Sequence, residues 1–193
     1  MVRCRDRRSV RGVRIARHAG GDSVGTSWLT LAVTSEDGST TGTGIGDAHR
    51  TQRLGAYAVV VRDPGELLLT QISARGYPAT AWALPGGGVD HGESPRDAVR
   101  RELYEETAQQ ARTVRLVDIH SLHIVDHGRD DRYEDYHGVH VLYAVDIVPG
   151  VEPRVVEVDG TTEQALWVPL GEVPGMWTLP VVDYVLERLD DYR

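Results

Sequence analysis

The sequence of 193 residues predicts a mixed α/β (α+β) domain in which helices pack on a β-sheet. Short apolar runs bounded by turn residues lie on both sides of one helix with clear capping signals. A second amphipathic segment, residues 179–189, closes the sequence and predicts another helix. This order of strands, central helix, strands and final helix indicates a sheet that carries helices.

The first fifty residues differ in composition from the remainder. Residues 1–50 carry eight arginines and five acidic residues, whereas residues 51–193 carry thirteen arginines and 24 acidic residues. Glycine, serine and threonine are frequent in the first segment, apart from the short apolar run WLTLAV, which is compatible with a strand. We therefore expect a basic, flexible N-terminal extension over 1–50 and one domain over 51–193. A basic tail that contacts an acidic partner is the alternative.

Three strands are predicted before the helix. Apolar runs at 54–63 and 66–72 flank Asp63-Pro64-Gly65, which is a turn signal, so we expect a strand pair. A shorter run at 81–85 predicts a third strand. It leads into the glycines at 86–88, where we expect a loop.

The central helix has recognisable start signals. Ser94 and Pro95 suit the N-cap and the first helical position, and Asp97 completes a start that resembles a capping box. We expect the helix to continue to about Thr107. Its expected apolar contacts are Ala98, Val99 and Leu103.

Longer apolar runs follow the helix. Residues 114–125 and 139–148 predict two long strands. We interpret the acidic segment between them, 126–136, as a mobile surface loop or as a lid over a site. Residues 154–158 and 165–170 predict two further strands.

Carboxylates are concentrated on the central helix, directly after the glycines. Glu102, Glu105 and Glu106 stand at helical spacings that place them on one face, where like charges repel one another. A cation from outside the helix is expected to compensate this repulsion. Mg²⁺ and Mn²⁺ prefer oxygen ligands, and Mg²⁺ commonly joins one or two carboxylates to substrate phosphates. The pattern therefore favours metal-assisted hydrolysis of a phosphoanhydride.

This stretch resembles the signature of the Nudix hydrolases, G-x5-E-x7-R-E-U-x-E-E-x-G-U, where U is a bulky apolar residue. Gly87 and Glu93 occupy the first two fixed positions, and residues 101–106 supply the run that follows. Ala108 replaces the last glycine and Gln109 replaces the final apolar residue. The resemblance extends from residue 54 to about 190 and implies a Nudix-like α/β/α sandwich with a mixed β-sheet.

The resemblance also implies a metal site. Glu102, Glu105 and Glu106 match the metal-binding carboxylates of the family, and the carbonyl group of Gly86 is expected to be a further ligand. The expected cofactor is Mg²⁺, with Mn²⁺ able to replace it.

The remaining roles are assigned in the same way. Arg101 and Glu93 are expected to orient the metal-binding carboxylates through charged hydrogen bonds. Glu105 is the first choice for the general base. Glu163, or an acid between 130 and 135, is left open as the base because family members also use acids from later loops.

The implied function is metal-dependent hydrolysis of a nucleoside diphosphate linked to another moiety, such as a nucleoside triphosphate, an oxidised nucleotide, a nucleotide sugar or a dinucleotide. An RNA 5′-end pyrophosphohydrolase and a non-catalytic Nudix-like regulator are the alternatives. Ile124 stands where ADP-ribose hydrolases place a proline, and residues 125–127 lack the tyrosine typical of diadenosine polyphosphate hydrolases. The specific nucleotide therefore stays open.

The composition narrows the class of partner. An acidic domain argues against broad nucleic-acid binding. The resemblance implies a small-molecule nucleoside diphosphate derivative as the partner, and a homodimer is left open. No apolar run approaches the length of a membrane span. Cys4 is the single cysteine, which excludes a disulfide within the chain and favours the cytoplasm.

Histidines and aromatic side chains are further candidates for binding groups. His120 and His123 are expected on opposite faces of a strand, so no zinc site is expected. Several aromatic side chains are candidates for stacking on a nucleobase, although core or rim positions are more common for each alone. These are Tyr57, Trp82, Tyr133, Tyr136 and Tyr143.

Overall fold

The structure is a computed structural model that describes residues 49–127 and 133–193. Most of the predicted N-terminal extension, including the run WLTLAV, and residues 128–132 lie outside the described residues. The first described strand begins at His49, and where the domain begins stays a prediction. In the described part of the chain, no helix is long and apolar enough to cross a membrane.

The described residues form strands, two α-helices and two short 3-10 helices. The strands are β1 (His49–Val59), β2 (Val61–Arg62), β3 (Glu66–Ile72), β4 (Trp82–Ala83), β5 (Gly86–Gly88), β6 (Ala111–His127), β7 (Tyr133–Ile147) and β8 (Thr162–Pro169). The α-helices are α1 (Pro95–Thr107) and α2 (Pro180–Leu186). The 3-10 helices are Val173–Gly175 and Leu189–Tyr192.

The strands form two sheets. The larger sheet has the order β5-β1-β7-β6, in which β1 and β7 run parallel and the other two pairs are antiparallel. The smaller sheet is antiparallel. Strand β3 pairs with β8 along its whole length, with β2 near its N-terminal end and with β4 near its C-terminal end. The mixed sheet predicted from the sequence is confirmed.

Helices α1 and α2 lie on opposite faces of the sheet. Consecutive residues of a strand point to opposite faces, and Ala58 and Val59 of β1 belong to two different core clusters. The cluster of Ala58 contains Leu103 of α1, and the cluster of Val59 contains Val182 of α2. The chain is therefore an α/β/α sandwich, as the sequence predicts, and we call the two sides the α1 face and the α2 face.

The predicted strand over 154–158 is wrong. This segment is irregular, although three of its five residues are valine. The amide groups of Arg154 and Val156 donate hydrogen bonds to the carbonyl oxygens of Thr107 and Glu105. The last carbonyl groups of an α-helix have no partner within the helix, and here a distant segment supplies partners instead of joining a sheet.

Two predicted loops are also corrected. The glycines at 86–88 form strand β5, because they pair with 55–57 of β1. The acidic segment 126–136 is mostly strand, since Asp126 pairs with Glu134 in a long hairpin between β6 and β7. Only 128–132 falls outside the described residues, so the lid hypothesis cannot be carried further there.

Candidate active site

Helix α1 begins where the sequence predicts, and it holds most of the candidate site residues. Ser94 is the N-cap, with its hydroxyl accepting from the amide of Asp97 at 3.2 Å, and Pro95 is the first helical residue. Burial of Ala98 and Leu103 against the sheet fixes the rotation of the helix about its axis. The acidic face of α1 is the face that carries Glu102, Glu105 and Glu106. Its residues Glu102 and Glu106 thereby lie against β5.

Helix α1 ends where the family signature ends, despite the substitution there. Ala108 adopts the left-handed conformation, with φ of 58°, and its amide donates to the carbonyl oxygen of Tyr104. A left-handed residue with a side chain costs roughly 1–2 kcal/mol. Gln109 is fully buried and donates from Nε2 to the carbonyl oxygens of Thr107 and Val151, so an amide replaces apolar packing at this position.

Arg101 is the central cation of the acidic face. Its guanidinium group donates to both carboxylate oxygens of Glu93, at 3.0 and 2.9 Å. It also donates to Glu102 at 2.9 Å, to Glu105 at 3.1 Å and to the carbonyl oxygen of Gly88 at 3.2 Å. One side chain therefore fixes the positions of three carboxylates relative to the glycine strand.

The paired carboxylate of Glu93 remains charged. The hydrogen bond from Arg101 and the amide of Asp90 lower the pKa of Glu93 to about 2. The same contact with Glu93 raises the pKa of Arg101. Charge-assisted bidentate pairs of this kind combine strength with a fixed orientation.

Glu106 has the opposite environment. Its carboxylate is buried, with one oxygen accepting from the amide of Gly86 at 2.8 Å and the other from the hydroxyl of Thr162. Burial raises the pKa of Glu106 to about 7, against the effect of those two hydrogen bonds. In the part of the chain that the structure describes, no cationic side chain is paired with this carboxylate.

Glu102 lies against the glycine strand. A methyl group placed on Gly87 would lie 2.6 to 2.9 Å from the carboxylate atoms of Glu102, so only glycine permits this approach. Burial raises the pKa of Glu102, and the contact with Arg101 opposes that shift. The negative charges of Glu105 and Glu157 add to the increase.

Glu157 was not predicted from the sequence. Its negative charge raises the pKa of both Glu102 and Glu106, which places it beside the cluster. Its amide donates to the carbonyl oxygen of Glu105, so the end of α1 holds it there. Glu157 lies outside the Nudix signature. It is brought to the glutamates of α1 by backbone hydrogen bonds between segments that are distant in sequence.

The other candidate bases lie elsewhere. Glu163 follows Thr162 in β8 and is exposed, and none of the described hydrogen bonds or ion pairs joins it to the glutamates of α1. Asp135 lies on the hairpin, bound to His123 at 2.5 Å and to Arg50 at 3.4 Å. Asp130 and Asp131 lie outside the described residues.

The residues of the acidic face suit a hard divalent cation in their chemistry. All the candidate ligands are oxygen atoms, and Glu106 is a buried carboxylate that lacks a cationic partner among the described residues. In their present positions Glu102 and Glu105 both bind Arg101. Accordingly, no three acidic, histidine or cysteine side chains of the described residues already converge as a metal site.

Comparison with protein families matches residues 51–186 to the NUDIX domain. Among curated proteins, an RNA pyrophosphohydrolase of Cereibacter sphaeroides is 52% identical over 40 residues, which are 21% of this chain and 25% of that protein. An RNA pyrophosphohydrolase of Bartonella bacilliformis is 45% identical over 53 residues, 28% of this chain and 30% of that protein. The chain thus matches less than a third of the length of these curated relatives.

Solved structures give a longer match. The MutT NUDIX hydrolase from Burkholderia pseudomallei is 30% identical, with a TM-score of 0.54, and the match covers 71% of this chain and 97% of that one. The NUDIX domain of Shewanella oneidensis NrtR, complexed with ADP ribose, has a TM-score of 0.56 at 23% identity and covers 73% and 88%. The second similarity concerns the fold alone.

Proposed function

The chain belongs to the Nudix family, and on that premise we propose that it is a divalent-metal-dependent pyrophosphohydrolase. Its substrate is a nucleoside diphosphate linked to another moiety, and the bond cleaved is a phosphoanhydride. The observation that carries this proposal is the placement of Glu102 and Glu106 against the glycine strand, with Glu105 tied to Glu102 through Arg101. Glu106 is buried and has no cationic partner among the described residues.

The metal ligands in this proposal are Glu102, Glu105, Glu106 and the carbonyl group of Gly86. A bound Mg²⁺ or Mn²⁺ would supply charge neutralisation for the phosphates and a water molecule of lowered pKa. The hydrogen bond from the Gly86 amide to Glu106 keeps that carboxylate next to the glycine strand. Its pKa near 7 makes cation binding and proton release coupled events.

Arg101 and Glu93 act on the ligands rather than on the substrate. Arg101 holds Glu102 and Glu105 at fixed positions, and Glu93 holds Arg101 through a bidentate pair. Glu105 is the first candidate for the general base. Glu157 joins Glu163 as an alternative, because the charge of Glu157 is felt at the cluster.

The experiment that tests the proposal combines a substrate panel with metal removal. Nucleoside triphosphates, oxidised deoxynucleotides, nucleotide sugars, ADP-ribose and dinucleotides are each incubated with the full chain and Mg²⁺. We expect turnover of at least one compound, loss of that turnover in excess chelator, and recovery with Mn²⁺. Identification of the products shows which phosphorus is attacked. Full turnover in chelator, or no turnover across the panel and with the RNA substrate below, contradicts the proposal.

RNA carrying a 5′-triphosphate is the second candidate substrate. It is supported by the two short matches to RNA pyrophosphohydrolases, whereas the acidic domain argues against it. A 5′-triphosphate RNA that releases diphosphate faster than a nucleoside triphosphate of the same base favours this candidate. The non-catalytic alternative requires binding without turnover, and the complete set of signature glutamates argues against it.

A further inference from the structure

Two tyrosine rings on the α2 face lie across glycines of neighbouring strands. A methyl group placed on Gly55 of β1 would lie 2.7 Å from a ring carbon of Tyr57 and 3.1 Å from its hydroxyl. A methyl group on Gly138 of β7 would lie 3.1 Å from a ring carbon of Tyr136 and 3.2 Å from its hydroxyl. The missing side chains therefore provide the space in which both rings lie close to the sheet.

His140 adds a third polar group at the same place. A methyl group on Gly138 would lie 2.9 Å from Nε2 of His140. The imidazole packs edge-on against the ring of Tyr57, at 4.9 Å between ring centroids, and its Nδ1 lies 3.3 Å from Nδ1 of His120. Burial lowers the pKa of His140 to about 4, so the ring is neutral at physiological pH and Nε2 offers either a donor or a lone pair.

Within the described residues, these polar atoms have no hydrogen-bond partner. Among the described hydrogen bonds, none involves the hydroxyl groups of Tyr57 and Tyr136 or Nε2 of His140. Burial also raises the pKa of Tyr57 to about 12, so its hydroxyl keeps its proton. Half-buried polar groups that converge without partners are available to bind a ligand.

The opposite face of the same strands provides a contrast. On the α1 face, beyond the end of α1, His137 lies 2.9 Å from Gln52 on one side and 2.9 Å from Ser121 on the other. His123 is bound to Asp135 there. A cavity of about 440 Å³ opens there, and four of its lining residues, Gln52, His137, His123 and Asp135, are already hydrogen-bonded in pairs. On the α2 face, by contrast, the described hydrogen bonds leave the hydroxyl groups of Tyr57 and Tyr136 unused.

The polar groups of the α2 face can be reached from the acidic face of α1. Strand β5 forms the edge between them, and it consists of three glycines, so it contributes no side chain of its own. Gly138 on β7 lies two strands from β5, which corresponds to ~10 Å. Arg53 lies over Gly88 of β5, since a methyl group there would be 2.8 Å from its guanidinium. A cation is thus present along the route from the glutamates to the tyrosines.

We propose that Tyr57, Tyr136 and His140 form the subsite for the heterocyclic base of the nucleotide, and that they determine which base the enzyme accepts. This inference rests on the proposed function and names the specificity residues of the same site. Two hydroxyl groups and one neutral imidazole suit an uncharged, planar group with donors and acceptors on its edge, and they provide no positive charge for a phosphate. Arg53 is left for the phosphate nearest the base.

Binding of reaction products tests the subsite without requiring turnover. The probes are the four nucleoside 5′-monophosphates, with ribose 5-phosphate as the matched probe that lacks a base, each titrated into the full chain with Mg²⁺ by calorimetry. We expect the wild-type protein to bind one monophosphate at least ~10-fold more tightly than ribose 5-phosphate, as the hydrogen bonds to the base would provide. Equal affinity for all five probes overturns the proposal.

Variants assign the preference to the named residues. Tyr136→Phe and Tyr57→Phe remove one hydroxyl each and should reduce the preference ~10-fold, with the affinity for ribose 5-phosphate unchanged. Gly138→Ala places a methyl group against the hydroxyl of Tyr136 and Nε2 of His140 and should abolish the preference. His123→Gln, on the opposite face of the hairpin, is the control and should have no effect. A parallel loss of affinity for all probes in the phenylalanine variants would indicate a structural role and overturn the assignment.

The outcome is distinguishable from failure of the proposed function. If no compound is hydrolysed but one monophosphate is still preferred and Tyr136→Phe removes the preference, the base subsite stands and the hydrolase proposal fails. If hydrolysis depends on the phosphate chain alone and no base is preferred, the hydrolase proposal stands and the base subsite fails.

Discussion

The two ends of helix α1 are built in different ways. At the N-terminus, Ser94 and Asp97 satisfy the first turn with neighbouring side chains. At the C-terminus, the last carbonyl groups bind amides from Arg154 and Val156, and the chain turns through the left-handed Ala108. The first end is stabilised locally, whereas the second is stabilised by residues from a distant part of the chain.

The same difference separates the carboxylates near each end. Glu93, which precedes the helix, pairs with Arg101 and has its pKa lowered to about 2. Glu106, in the last turn, is buried with neutral donors and has its pKa raised to about 7. We infer that the N-terminal end maintains the structure of the site, while the C-terminal end holds a buried carboxylate that has no cationic partner among the described residues.

The largest expected effect is that of Glu106→Gln, which removes one charge and keeps the shape. If Glu106 is a metal ligand, turnover should fall by on the order of 10²-fold and the Mg²⁺ requirement should rise. Steady-state rates measured over a range of Mg²⁺ concentrations check this expectation. Glu105→Gln should behave in the same way, with a larger defect at saturating metal if Glu105 is also the base. Near-normal turnover and metal dependence in both variants would refute the metal assignment.

The stability of Glu106→Gln without metal should move in the opposite direction to its activity. The folded-state pKa near 7 lies above the ordinary 4.5, so the stabilising contribution of the protonated carboxyl is complete below pH 4.5 and is lost as the pH rises through 7. At pH 8 the free energy of unfolding of the variant should therefore exceed that of the wild type by on the order of 1–3 kcal/mol. Near pH 4.5 the two free energies of unfolding should be equal. Chemical denaturation in chelator at both pH values measures the difference.

Glu93→Gln should have a smaller effect on activity and the opposite effect on stability. Loss of its pair with Arg101 frees the guanidinium group that orients Glu102 and Glu105, and loss of such a support typically costs 10–100-fold. Its folded-state pKa lies below the ordinary value, so its contribution to stability is present above pH 4.5 and is lost as the pH falls through 2. Rate and thermal melting at pH 7 should both decrease. An increase in stability would show that the two ends of α1 do not differ as described.

The caps of α1 should respond with smaller changes that leave turnover intact. Ala108→Gly removes the strain of a left-handed alanine, so the free energy of unfolding should rise by roughly 1 kcal/mol. Ser94→Ala, at the other end, serves as the comparison and should lower it by about 1 kcal/mol. Urea denaturation of both variants measures these changes. If Ala108→Gly is destabilising, relief of strain at this cap is not the dominant effect.

The smallest effect on stability and turnover is expected from removal of the residues that precede β1. We propose that residues 51–193 form the whole functional domain, so a chain that begins at His49 should keep the melting temperature and turnover of the full chain. Thermal melting and phosphate release compare the two. A shortened chain that is insoluble, or that melts many degrees lower, would show that part of residues 1–48 belongs to the domain.

The sequence predicts both bounds of α1, from Pro95 to about Thr107, but not the segment that packs against its C-terminal end, because capping and periodicity act over a few residues. Ser94, Pro95 and the buried face of the helix follow from those local rules. Glu157 does not, since its position depends on a backbone hydrogen bond to Glu105 that no local pattern encodes. The segment 154–158 is rich in valine, which favours strands, but its amides bind the end of a helix instead.

The sheet shows the same limit. Apolar runs in the sequence predict strands β3 and β8. They do not predict the extension of β6 and β7 into an acidic hairpin, because cross-strand pairing there outweighs the low strand propensity of residues such as Asp135. The convergence of Tyr57 and Tyr136 depends on the register of β1 against β7. That register is a property of the assembled sheet and cannot be read from either strand alone.

The parallel pairing of β1 with β7 also has a consequence for how fast the chain folds. Val59 pairs with Ala144, 85 positions further along, and the same separation holds along the whole strand pair. Closing so long a segment must precede the contacts that reward it, which slows folding relative to proteins dominated by local contacts. Helix α1 lies inside that segment, so its acidic face meets the completed sheet only after closure. The binding site is therefore expected to be among the last parts of the molecule to assemble.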